Sequence, residues 1–468
     1  MKKTLSIVIT IILSIGLVAP KLVGNQFSTT LNVIAEKMNN TPSYTVEIQT
    51  INSHWFSTDA LVTLSLDTTH LTGLSDPALS DDDSVVFEIN AQHGPFLFNE
   101  QSNLAWLSWT ANVDGETLRN NLDWSDNTDF FQANGLIDLL GDYDYQDTVT
   151  AFTANITDEN VNLVFSGYQG NGQYNGQDLT YQGNVAKLTA TSNEGDFSMN
   201  NFTVDMLVNA SLEEIFNNNF YDSATTVNFS SINFNNNESE IINLTDLYVS
   251  ASLLLNKAEK SANIQVAYGI KAADVNEYQV QDLALELAIN NISGQFIKAY
   301  QDFSQTLSDS SAEDMQEKMF NFTQENLLLL LSAGPEINIT SLRGTFPEGK
   351  MNGTMHTSLV NVSALPTPIE DQQFWFSHAL MNGEITGDKA IIELFAEQFM
   401  KKQLQANPQT QDMTTEEIDK MAAQQVPQML NMLVEQGLLV VTDTHYTTDY
   451  ILKDSQFKVN EKLIPLPF

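Results

Sequence analysis

The spacing of hydrophobic positions changes along the chain. Residues 5–19 form an apolar run broken only by Ser6, Thr10, Ser14 and Gly16 behind Lys2 and Lys3, which reads as the n-region and h-region of an export signal. Phe27, Leu31, Ile34 and Met38 then fall at helical spacing, and Asn39-Asn40-Thr41-Pro42 predicts the end of that helix. From there the period is two. Tyr44, Val46 and Ile48 alternate with polar neighbours. Ala60, Val62, Leu64 and Leu66 follow after a connection around residues 52–58, and Val85, Phe87, Ile89 and Ala91 repeat the pattern. It recurs at Val161, Leu163, Phe165; at Phe202, Val204, Met206, Val208; at Val227, Phe229; at Leu247, Val249, Ala251, Leu253; at Ile264, Val266, Tyr268, Ile270; and at Leu283, Leu285, Leu287, Ile289. This predicts a long antiparallel meander. Its turns read as the Asn- and Gly-rich segments 167–176 and 235–237, because both residue types accept positive φ.

Helical spacing returns late. Phe296, Tyr300, Phe303 and Leu307 form one stripe; Ser310 with Glu313 resembles a capping box opening a helix through Met315, Met319 and Phe322 to Leu331, ended by Gly334-Pro335. Ile391, Leu394, Phe395 and Phe399 begin a second pair, and Thr414 with Glu417 caps its partner through Met421, Met429 and Leu433, with a kink expected at Pro427. Tyr446, Thr448, Tyr450, Leu452 and then Phe457, Val459 read as a closing hairpin turning at Asp454-Ser455. The expectation is an α+β protein: a long, curved, mainly antiparallel sheet, two helical pairs in the C-terminal half and one N-terminal membrane helix. The expected divisions are 1–24 (signal-anchor), 25–295 (β-rich with one short helix), 296–336 (helical pair), 337–389 (strands), 390–437 (helical pair) and 438–468 (strands and tail), with 25–468 one continuous ectodomain.

Composition narrows the function classes. Twenty Lys and Arg against 59 Asp and Glu give a net charge of −39, which repels a phosphate backbone. Nucleic acid is therefore excluded as a partner. The absence of cysteine removes disulfides, thiolate metal sites and cysteine nucleophiles. A small-x-small cleavage site is poor, because Pro20 and Lys21 follow Ala19, so the reading is an uncleaved anchor. Residues 4–24 would span about 31 Å at 1.5 Å per residue, close to the hydrocarbon thickness, with Lys21 snorkelling. Lys2 and Lys3 put the N-terminus in the cytoplasm and the remaining mass outside it.

Several elements then form one ordered pattern: the N-terminal anchor, Trp55-Phe56-Ser57 between two strands, His93-Gly94-Pro95-Phe96 after a strand, Gly294 before an aromatic helix, Gly334-Pro335 before Ile337 and Ile339, and a closing strand from Tyr446. Over nearly the whole chain this resembles the YdgA-like family of uncharacterised Gram-negative envelope proteins, with His-Gly-Pro-Phe the most specific element. The resemblance implies an inner-membrane-anchored protein facing the periplasm, with no assigned activity. Two departures stand out: Ser53-His54-Trp55 replaces the family's Arg-Gly ahead of the Phe-Ser pair, and Asn460-Glu461 replaces Asn-Gly. The first weakens a shared site in that turn, and the second implies a different last hairpin.

Candidate chemistry is sparse. None of His54, His70, His93, His356, His378 and His445 lies in HExxH or at ligand spacing from a second histidine. His93 alone sits in a specific motif, and it reads as a turn residue whose ring satisfies backbone groups, since it lacks a base-and-orienter arrangement. There is no Gly-x-Ser-x-Gly elbow. Gly170-Asn171-Gly172 lacks the spacing and following helix of a phosphate loop, and reads as a flexible β-turn. Asp81-Asp82-Asp83 and Asp138, Asp142, Asp144, Asp147 invite Ca²⁺ but do not fit an EF-hand loop; solvated loop charge is the default. The methionines at 315, 319, 413, 421, 429 and 432 read as helix core.

The functional expectation is a non-catalytic envelope role, scaffolding or partner binding, without cofactor or metal. The alternatives are a lipid-like ligand held in a groove of the sheet and an uncharacterised hydrolase. Trp55, Phe56, Ser57, His93, Gly94, Pro95, Phe96, Gly334 and Pro335 are expected to be structural. The inner membrane is the expected partner through the N-terminal helix, with a protein partner, a second copy or a lipid-like ligand also open.

Overall fold

A computed structural model describes residues 2–39, 44–66, 84–97, 104–156, 160–216, 220–236, 240–258, 260–304, 307, 312–406 and 413–466, with side chains in the first helix described from Gly16 onward. His70, the 81–83 aspartates and Ser310 lie outside them, so the expectations placed there are not addressed. The described chain forms two compact units, one holding the chain up to Phe229 and the other chiefly Ser239–Asp302 and Gln316–Phe468.

In the first unit, α1 (Lys2–Asn39) runs without interruption across the division expected at residue 24, with Pro20 inside it. Strands β1 (Tyr44–Ser53), β2 (Ser57–Leu66), β3 (Ser84–His93) and β4 (Leu107–Val113) pair antiparallel in chain order. A short β5 (Leu122–Asp123) departs, and β4 continues to β6 (Phe131–Ile137) and β7 (Tyr143–Val149). β8 (Phe152–Ile156) and β9 (Val161–Phe165) form a side branch that joins the sheet through β9. β10 (Tyr168–Tyr174) pairs on one side with β7 and on the other with β11 (Asp178–Thr191), which pairs with β12 (Gly195–Asn209). A one-turn α2 (Leu212–Phe216) follows, and β13 (Asp222–Asn236) leads toward the second unit.

β10 corrects the sequence reading, which treated residues 167–176 as a turn. Glycine inside a strand marks a place where a neighbouring group crosses the backbone closely. A side chain at Gly170 would collide with the Asp147 carboxylate and the Tyr181 hydroxyl, and one at Gly183 with the Tyr168 ring. The glycines make room for tyrosines lying across the sheet. The turn expected at 235–237 is likewise strand up to Asn236, and Asn237 lies outside the described residues.

Pairing sorts this sheet into two faces. On one, Ala60, Ile89, Ala111 and Ala133 align across neighbouring strands. On the other, Asp59, Asn90, Thr110, Asn134, Gln146, Asn171, Gln182 and Asp205 do so. A hollow of about 740 Å³ lies along the polar face, lined by Asp144, Gln146, Asn171, Gln182 and Asp205 among others.

In the second unit β14 (Glu240–Asn256), β15 (Ser261–Val275), β16 (Tyr278–Ser293), β17 (Glu336–Phe346), β18 (Gly349–Leu359) and β19 (Ala379–Asp388) pair antiparallel in order. α3 (Gly294–Ser304) and α4 (Ala312–Leu331) connect β16 to β17. Ile292 and Ile297 form a core there with Leu253, Ile264, Ile289, Phe296 and Leu330, and Phe296 meets Phe322 with ring centroids 5.6 Å apart. Gly334 closes α4 at φ 65°, a left-handed position that Gly takes at no steric cost.

α5 (Gln372–His378) precedes β19; α6 (Lys389–Ala406) and α7 (Thr415–Glu435) follow it. The Thr414/Glu417 capping box is present in both directions, and α7 continues through Pro427. Leu404, Ile418 and Ala422 pack with Met400, Met421 and, just ahead of α7, Met413, whereas Met315 and Met432, expected in the helix core, are exposed. β20 (Val440–Val441) and β21 (His445–Lys453) close the unit with β22 (Gln456–Val459) and β23 (Lys462–Ile464), β21 pairing back to β19. The fold is mainly antiparallel sheet with helical pairs in the C-terminal half. Among the described residues no helix is long and apolar enough to cross a membrane. Most of the expected anchor run lies outside the residues whose side chains are described.

Candidate functional site

The family-motif residues of the first unit converge on α1. Gly16, Pro20 and Gly24 recur every four residues and so share one side of the helix. Pro20 has no N–H for the Gly16 carbonyl, and its ring crowds the preceding turn. The adjoining Leu17 carbonyl accepts a hydrogen bond from Trp55 Nε1 at 2.7 Å, so the indole serves the turn that proline loosens. A Cβ at Gly16 would sit 3.2 Å from the Phe96 ring, and one at Gly24 would collide with the His93 imidazole. Pro20 between them is fully buried. Lys21 Nζ reaches the Ser53 carbonyl at 3.5 Å. At the far end Asn39 pairs like a strand, its amide donating to the Val46 carbonyl at 2.8 Å and accepting from the Val46 N–H at 2.6 Å.

His93 lies at the centre of this seat and is only 1% exposed. Its Nε2 stands 3.0 Å from Thr58 Oγ1, and its backbone N–H donates to the Phe56 carbonyl at 2.8 Å. The Gly94 N–H donates to the Trp106 carbonyl at 2.7 Å, and Gly94-Pro95 is a cis peptide. Among the described residues, the Nδ1 atom and the buried Ser53 hydroxyl have no hydrogen-bond partner. Burial lowers the His93 pKa, the nearby Trp55 carbonyl opposes that shift, and the positive charge of Lys21 adds to it. The ring is therefore a neutral wedge between the strands and the helix. Among the described residues it meets the Thr58 hydroxyl, Gly24 and peptide groups, and no carboxylate orients it.

Trp55, Phe56 and Ser57 occupy the β1–β2 turn, closed by the His54 N–H donating to the Ser57 carbonyl at 2.8 Å. With His93, Gly94, Pro95 and Phe96 they form the strand side of the seat. Gly334 and Pro335 lie in the second unit, at the α4–β17 junction, and belong to that connection. Sequence reasoning missed the helix side, Gly16, Leu17, Pro20 and Gly24, together with Thr58. The four-residue spacing of Gly, Pro and Gly within an apolar run was the available signal.

The aspartate cluster at 138–147 does not converge. Asp138 Oδ1 accepts from the N–H groups of Leu140 at 2.7 Å, Gly141 at 2.8 Å and Asp142 at 3.0 Å, an arrangement that builds a loop. Asp144 is exposed on the polar face and accepts from Gln173 at 3.0 Å. Asp147 is buried on the other face and accepts from the Tyr181 hydroxyl at 3.1 Å, and Tyr181 in turn contacts Tyr168. Burial raises the Asp147 pKa, against the lowering pull of the Tyr181 and Tyr145 hydroxyls. Among the described residues no group of three or more acidic or histidine side chains could hold a metal ion.

Fold and site together define a class: an antiparallel-sheet protein that uses its most specific motif to seat its own N-terminal helix. The chain belongs to the family described as bacterial protein of unknown function (DUF945), whose model matches residues 1–467. No curated protein and no solved structure matches it.

Proposed function

We propose that this protein is a non-catalytic component of the bacterial envelope, anchored in the inner membrane by the start of α1, with its sheet in the periplasm acting as a scaffold or partner-binding surface. The observation that carries this reading is the continuity of α1 from the apolar run into the seat: one helix holds residues 5–19 and also docks Gly16, Pro20 and Gly24 against Trp55, His93 and Phe96. A cleaved export signal has no need of such a dock. Its removal near residue 24 would strip the cover from His93, leaving a buried imidazole and apolar strand positions open to water. In a membrane fraction washed with carbonate, the full-length chain should remain in the pellet. A chain that begins near residue 25 and is recovered in the soluble fraction would contradict the proposal.

A hydrophobic-ligand reading has support of its own. Tyr268, Ile337 and Ile385 on β15, β17 and β19 are roughly half exposed on the second unit's sheet. Mass spectrometry of an organic extract of the purified protein tests this reading: stoichiometric lipid supports it, and a lipid-free extract removes it.

A further inference from the structure

The loops at the end of the sheet that α1 passes beside Trp55 and Phe96 carry a concentration of exposed apolar side chains. Strand pairing places these loops at one end of the first unit's sheet. Ser57 lies opposite Gln92, His93 opposite Leu107, Leu107 opposite Ile137, and Ile137 opposite Tyr143. The connections beyond those residues hold Trp55, Phe56, Phe96, Leu104, Leu139 and Leu140, all exposed, with Leu140 at 89%. An apolar side chain so fully in water gains nothing for the fold, and a cluster of them marks a contact surface.

The described parts of these loops are tied down by hydrogen bonds. Trp106 Nε1 donates to the Leu139 carbonyl at 3.2 Å, Phe96 and Leu104 form a β-bridge, and Asp138 gives its carboxylate to the backbone beneath Leu140. Toward its N-terminus α1 passes His93 at Gly24 and Phe96 at Gly16, so residues 2–15 continue past this rim. Leu17, Val18 and Leu22 on the helix are exposed at the same level.

We propose that this rim is a membrane-contact surface that dips into the interfacial region of the bilayer in which α1 is anchored. The proposal rests on the anchor reading above. Three observations select lipid as the occupant. The helix that would enter the bilayer leaves the sheet beside Trp55 and Phe96 of the rim. The rim's Trp and Phe with flanking Leu match the side chains that settle at a membrane interface. A net charge of −39 disfavours a second copy of the chain as the occupant, whereas interfacial insertion draws on the apolar area these side chains bury. The contact also restricts how the sheet stands on the membrane, because several loops and the helix touch it together.

The absence of cysteine allows one fluorophore per molecule at a chosen site. The full chain carrying Leu140→Cys, labelled with an environment-sensitive dye, is reconstituted into phosphatidylcholine vesicles with or without brominated acyl chains. Glu116→Cys, exposed at the opposite end of the same sheet, is the comparison. Flotation verifies membrane association. The Leu140 label should lose roughly half or more of its emission with brominated lipid, as expected for a residue seated at the acyl boundary, and the Glu116 label should lose none. Floating protein whose Leu140 label escapes quenching overturns the rim proposal and leaves the anchor standing, including the case of a blue-shifted label buried against another protein copy. Protein that does not float overturns the anchor and the rim with it.

Discussion

At the residue scale, two buried polar groups, His93 and Asp147, constrain the first unit. His93 has no room to move, because Gly24 abuts it where any other residue would carry a Cβ. Gly24→Ala should cost about 1–3 kcal/mol through overpacking, read as a lower denaturation midpoint with an unchanged slope; an unchanged midpoint would show that the helix does not bear on the ring. Asp147 gives a pH-dependent test. Its folded-state pKa is raised, chiefly by burial, so ionisation is disfavoured in the folded protein. The contribution of the protonated form is present in full below the ordinary carboxylate range and is lost as pH rises through the folded pKa. Asp147→Asn should therefore raise Tm at neutral pH, with the gain fading on acidification. A variant that melts lower than the parent at neutral pH and equally at acid pH would reverse the assignment. Neither group was legible in these terms from sequence. His93 stood out by its motif, but its role depends on Gly24, distant in the chain, and Asp147 looked like one loop carboxylate among several.

At the element scale, strands with large alternating side chains were legible and those built on glycine were not. β3, with Val85, Phe87, Ile89 and Ala91 inward, follows the expected alternation. β10 alternates as well, but with glycine at two of its inward positions, and its buried faces are supplied by the rings of neighbouring strands. Local pattern carries no trace of a neighbour's tyrosine. The Thr414 capping box was readable because both of its partners lie within one helical turn. The last hairpin shows the converse. Asn460-Glu461 forms a tight β22–β23 turn with φ of 48° and 63°. Asn460 suits its place, accepting from the Asp449 N–H at 3.0 Å and donating to the Gly437 carbonyl at 3.1 Å. Glu461 is the strained partner, since a side chain in the left-handed region costs about 1–2 kcal/mol. Glu461→Gly should stabilise the second unit by about 1 kcal/mol after the added unfolded-state entropy of glycine, seen as a higher Tm. A lower Tm would mean that the glutamate earns its place through contacts elsewhere.

For the whole molecule, charge sets the conditions of operation. A net −39 repels itself in the compact state, and the screening length falls from about 30 Å at 0.01 M salt to about 8 Å at 0.15 M. Local ion pairs such as Lys401 with Glu397 and Asp419, each at 2.9 Å, offset only a small part of it. Thermal stability should rise with NaCl over that range; a flat or falling Tm would show that the acidic groups are too dispersed to matter. The division into two units was not visible in the sequence, since the alternating pattern runs on through residues of both.

The Trp55/His93/Phe96 seat holds α1, and with it the proposed membrane anchor, fixed to the sheet. Nitroxide labels at Leu22→Cys and Glu88→Cys, both exposed and in a chain otherwise free of cysteine, report that relation directly by pulsed electron resonance on the full-length protein in lipid. The account predicts one narrow distance distribution, which broadens when Trp55→Ala is combined with Gly24→Ala. A broad distribution in the parent chain, or a narrow one unmoved by those two substitutions, would contradict it.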